Sequence, residues 1–167
     1  WEQALRGSHL SRVKEIVPHG WVVDPSPLPP QAALPVLGVN SWEEVARFSQ
    51  KERRLVLKIS GFHEPAWGSR GVFIGHDLSQ AEWSERVHAA MGEFDQQPWI
   101  MQEFREGRVI EHPVFREDGS IEMLKGRVRL CPYYFTDEQG QTSLAGALAT
   151  LAPAVKEKIH GMREAVL

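Results

Sequence analysis

The 167-residue chain has a single cysteine, two tyrosines and no apolar run long enough to cross a bilayer. Cys131 alone can form no internal disulfide and supplies no cysteine metal cluster, which points to a reducing compartment, the cytoplasm. Without about 18 consecutive apolar residues or a secretory pattern, no membrane partner is expected. Charge of one sign is also missing: 19 Lys and Arg stand against 22 Asp and Glu, a net charge of -3. That balance gives no overall attraction to a phosphate backbone, so nucleic acid is not expected either. The seven histidines contain neither HExxH nor a His/Cys array, and Ser69 has no GxSxG context; a metal-independent hydrolase is disfavoured.

What is present is ordinary globular composition, 42% hydrophobic and 25% charged, enough chain for one domain or a small two-lobed unit. Starting at Trp1, it reads as a piece of a longer protein, and the rest of that polypeptide is an expected partner. Residues 1–30 form a lead-in, helical in spacing to about residue 17 and then broken by Pro18, Gly20 and DPSPLPP (24–30). In the second segment, 31–97, Ser41 and Glu44 predict a capping box opening a short helix to about Phe48. A strand follows at 54–60, then VFIG, then a helix capped by Ser79 and Glu82. That helix has Trp83, Val87, Ala90, Met91 and Phe94 on its core face. The third segment, 98–167, reads as an antiparallel meander: WIMQEF, RVIEHPVF, SIEML and GRVRLCPYYF, with turns at Glu106-Gly107, Asp118-Gly119 and Asp137 to Gly140. LAGALATLA (144–152) follows, and Pro153 is expected to open a helix carrying Val155, Ile159, Met162 and Val166. The fold class is α+β, with short antiparallel sheets and covering helices.

Three stretches carry candidate chemistry. In VLKISGFHEPAWGSRGV (56–72), Lys58 lies on the strand face opposite Leu55, Leu57 and Ile59. Such a lysine either snorkels from an edge strand or projects into a cleft as a point charge for phosphate. Gly61, Gly68 and Gly71 allow a loop that brings amides near an anion, and Arg70 adds a second cation. In WIMQEFREG, Met101 and Glu103 share one face and Ile100, Gln102 and Phe104 the other. This is either a solvent-facing strand or a linker whose backbone and side chains meet a purine edge. In GRVRLCPYYF, Arg127, Arg129 and Cys131 share a face, and the arginines either clamp a phosphate or make surface ion pairs. Cys131 reads as a small buried residue, and Tyr133, Tyr134 and Phe135 as packing residues.

In this order and separation, Lys58, the 61–71 loop, WIMQEF and RVRLCPYYF resemble the nucleotide-binding part of an ATP-grasp ligase. More narrowly they resemble ATP-grasp-like proteins of uncertain substrate with an LKxSG strand, an AWGSRGV loop and a final IHGM segment. The resemblance runs from about residue 40 to the C-terminus. It implies that Lys58 meets the nucleotide phosphates and that Gly68, Ser69, Arg70 and Gly71 belong to a mobile flap. Gln102, Glu103 and Phe104 then fall at the linker that receives adenine, and Arg127 or Arg129 faces the transferred phosphate. The implied cofactors are ATP and magnesium. The implied activity is joining an unidentified carboxylate to an amine or thiol through an acyl-phosphate; a noncatalytic nucleotide-binding or interaction domain is the alternative. The acidic and Glu-x-Asn-like magnesium ligands of the family do not follow the arginine strand, and are expected in the part of the parent chain before residue 1.

Overall fold

The computed structural model describes residues 6–60, 64, 66 and 70–155 of the chain. It shows a mixed α+β architecture with two antiparallel sheets and a few helices. The chain divides into two compact units, residues 1–105 and 106–167.

The first unit contains α1 (Gly7–Ile16), β1 (Gly20–Val22), α2 (Trp42–Val45), β2 (Leu55–Ile59), β3 (Val72–Ile74), α3 (Gln80–Gly92) and β4 (Trp99–Glu103). Its four strands lie in the order β1-β4-β2-β3, so β2 is an interior strand. Alternation places Leu55 and Leu57 of β2, Trp99 and Met101 of β4 and Trp21 of β1 on one face, where α2 and α3 supply Trp42, Val45, Trp83, Val87 and Ala90 to one buried cluster. Trp83 is fully buried, and its indole N–H donates to the Val45 carbonyl at 2.8 Å, so the polar end of the ring is satisfied inside the core.

Helix starts follow the capping rules. Ser79 accepts from the Glu82 amide while Glu82 accepts from the Ser79 amide at 2.8 Å, a complete capping box on α3. At α2, Ser41 caps the Glu44 amide, but the Glu44 carboxylate takes the amide of Asn40, and the helix stops at Val45 rather than near Phe48. Of the core face expected on α3, Met91 is half-buried and packs against the cluster, while Phe94, also half-buried, lies past the end of the helix at Gly92. The stretch after Pro18 is not free of regular structure: β1 pairs with β4, Trp21 opposite Met101, and Val23 and Leu34 enter the core. A three-residue strand between prolines carries too little alternation to be seen in sequence.

The second unit contains β5 (Val109–Phe115), β6 (Ile121–Thr136) and β7 (Thr142–Pro153) in that spatial order. SIEML and GRVRLCPYYF, expected as separate strands, are one continuous β6. Gly126 makes no turn between them; a Cβ there would run into the Ala152 carbonyl, so the glycine permits close approach of β7. LAGALATLA is β7, and Pro153 closes that strand instead of opening a helix; Val155 is exposed in a turn, and Ile159, Met162 and Val166 lie outside the described residues. The β6–β7 pairing continues past the start of β5 as a two-stranded ribbon. On it Tyr133, Tyr134 and Phe135 are 51%, 62% and 66% exposed, against the expectation that they pack. Cys131 is half-buried.

Candidate functional site

The lysine of β2 sits inside a sheet, not on an edge. Lys58 is paired with Val72 on one side and Ile100 on the other, and Val56 is paired with Gln102. Paired residues share a face, so Lys58 and Gln102 stand together on the face away from α2 and α3. Lys58 Nζ donates to Gln102 Oε1 at 2.9 Å, and Gln102 Nε2 donates to the Pro18 carbonyl at 3.1 Å. The half-buried ammonium is thus held in one direction by an amide that is itself anchored, with two of its three N–H donors left over from that bond. Residues 60–71 are the connection between β2 and β3, closed at its base by Ile59 N–H to the Gly71 carbonyl at 3.0 Å. Gly71 is buried there. Arg70 is exposed and faces Glu64, donating to its carbonyl at 3.3 Å with the carboxylate at 3.5 Å. Gly68 and Ser69 lie outside the described residues.

The three linker residues are placed differently from one another. Gln102 shares the Lys58 face, whereas Glu103 is paired with Leu55 on the opposite one and forms an ion pair with Arg105 at 2.9 Å. The Glu103 and Phe104 amides donate to the carbonyls of His19 and Arg54, at 2.9 Å each. The Phe104 ring meets His76 edge-on at 4.7 Å between centroids, with the Arg54 guanidinium 5.5 Å from its centre.

Both arginines belong to β6 of the second unit. Arg127 is buried, and its guanidinium donates to the carbonyls of Gly107 and Ala154 and to the Glu106 carboxylate, an arrangement that ties the start of the unit to the end of β7. Arg129 lies two residues on, exposed, opposite Thr150. Among the described residues, no group of three or more His, Cys, Asp and Glu side chains is placed to hold a metal ion. Nor, among them, is any helix long and apolar enough to cross a membrane.

A feature the sequence did not reveal is a cleft of about 640 Å³ in the first unit, between the proline-rich stretch, α2 and the end of α3. At its rim His88 Nε2 meets Glu43 Oε2 at 2.8 Å, while Nδ1 meets the Ser84 carbonyl at 2.6 Å. The Ser84 carbonyl and then the Glu43 carboxylate favour the protonated ring and raise the His88 pKa above the usual 6.5. Forty-five residues separate the pair, and only the packing of α2 on α3 brings it together.

The chain matches no protein-family model, no curated protein and no solved structure.

Proposed function

We propose that this chain is the nucleotide-holding part of a cytoplasmic ATP-dependent carboxylate–amine or carboxylate–thiol ligase of the ATP-grasp type. The observation that carries this reading is the Lys58–Gln102 pair, 2.9 Å apart on one face of the four-stranded sheet, on the strand that residues 60–71 join to β3. A cation fixed in direction by an anchored amide suits a phosphate oxygen, because its orientation is set before the ligand arrives. Phe104, at the end of the strand that carries Gln102, offers an aromatic surface beside the same strand for a purine.

In the reaction proposed for the parent protein, a carboxylate oxygen attacks the γ-phosphorus of ATP and ADP leaves. An amine or thiol then attacks the acyl carbon, loses its proton and expels phosphate. Lys58 neutralises charge on the bound phosphates, and Arg70 and Gly71 belong to the connection that shields them from water. The bonds of Arg127 to Glu106, Gly107 and Ala154 give that side chain a tethering task within the second unit.

Isothermal titration of the complete chain with ATP tests the reading. Saturable binding is expected, weakened about tenfold or more by Lys58→Ala, as for loss of a hydrogen bond to a charged group. Lys58→Arg retains the charge and keeps part of the affinity. Unchanged affinity in a folded Lys58→Ala protein would remove the assignment. Carboxylate-dependent phosphate release by the parent protein separates a ligase from a nucleotide-binding domain without chemistry.

A further inference from the structure

The cleft beside His88 lies outside the proposed nucleotide site and has a consistent chemical character. Its floor is apolar, made of Leu34, Trp42 and Met91, the first two buried. Its rim carries two carboxylates from different elements: Asp24 from the proline-rich stretch and Glu43 from α2. Glu43 Oε2 is taken by His88, and Asp24 Oδ1 accepts the Ser26 amide at 2.8 Å. The Ser26 side chain and then that amide lower the Asp24 pKa from its usual value. The second oxygen of Glu43, Oε1, accepts no hydrogen bond from the described residues. Met91 and Gly92 bring the last turn of α3 to the same cleft, and a helix C-terminus carries partial negative charge. His88, the one cationic side chain among the lining residues, is already matched by Glu43.

We propose that this cleft binds a small primary amine in its protonated form, with a compact apolar body on Leu34, Trp42 and Met91 and its ammonium between the carboxylates of Glu43 and Asp24. The volume suits a small ligand. Two carboxylates on one rim favour a donor with three N–H groups over a neutral hydroxyl, and reject an anion of the same shape. The assignment is independent of ATP binding: none of Lys58, Gln102 and Phe104 lines the cleft, so either site survives the loss of the other.

Three probes with one body and different head groups decide the matter: phenethylamine, 2-phenylethanol and 3-phenylpropanoate, each titrated into the complete chain and followed by amide NMR. The expected result is saturable shifts at Ser41, Glu43, His88 and Gly92 with phenethylamine, weaker binding of the alcohol and none of the carboxylate. In the double variant Asp24→Asn, Glu43→Gln, which alters two exposed side chains at constant size, phenethylamine affinity falls about tenfold while the alcohol is unaffected. Equal binding of amine and alcohol, shifts scattered over other surfaces, or a double variant with undiminished amine affinity would each overturn the proposal.

Discussion

The two units use hydrophobic residues in opposite ways. In the first, helices cover one face of the sheet, and Trp21, Trp42, Trp83 and Trp99 are all less than a tenth exposed. In the second, β6 outruns β5, and Phe115, Ile121, Met123, Leu130, Tyr133, Tyr134, Phe135 and Leu144 are all more than half exposed. Composition follows the same division: all six tryptophans precede residue 106 and both tyrosines follow it. The lesson is that apolar content alone does not make a core. A sheet buries its residues only where another layer stands over it, and a two-stranded ribbon has none of its own.

The largest break in this contrast is expected from Trp83→Ala. It removes the central ring of the first core together with its bond to the Val45 carbonyl, at a cost of about 3–5 kcal/mol. Phe135→Ala on the ribbon is expected to change stability by less than about 0.5 kcal/mol. Urea denaturation of the two variants, read by fluorescence and by amide exchange, checks the pair. Gly126→Ala is next. The added methyl meets the Ala152 backbone carbonyl, and about 1–3 kcal/mol of overpacking should appear as faster exchange along the β6–β7 ladder. If that ladder is undisturbed, close approach is not why the glycine is there.

Smaller effects sharpen the description of the helical layer. Ser79→Ala removes the cap of α3 and is expected to cost about 1 kcal/mol in thermal denaturation. The His88–Glu43 pair gives the smallest effect, no more than about 1 kcal/mol for a pair so exposed. Its sign is definite. Because the folded pKa of His88 is raised, the stabilisation is fully present below about 6.5 and is lost as pH rises through the folded value. The stability difference between the wild type and Glu43→Gln should therefore be greatest near pH 5 and shrink toward pH 8. A constant difference across that range would mean that the pair does not titrate as described.

Legibility in the sequence followed the range of the forces. The Ser79–Glu82 box, the strand at 55–59 and the turns at Asp118-Gly119 and Asp137 to Gly140 are local, and they appear where spacing places them. Lys58 and Gln102 each stand out in the sequence, and alternation gives the face of each within its own strand. Their contact depended on the β2–β4 register, which pairs residues 44 apart. At Gly126 a glycine between two strand-like runs resembles a turn, because sequence does not say whether a missing Cβ serves a bend or a neighbour. The Pro153 helix failed for a related reason: proline fits a strand end as well as a helix start.

By itself the sequence determined the α+β class, the capped helix and the alternation that sends Leu55, Leu57 and Met101 one way and Lys58 and Gln102 the other, because these follow from dihedral geometry over a few residues. Only the tertiary structure decided which faces are covered, that Arg127 is taken up by Glu106 and two carbonyls, and that Asp24, Glu43 and His88 border one cleft. Those outcomes require segments distant in the chain to pack side by side, and such packing has no signature in the spacing of any one segment.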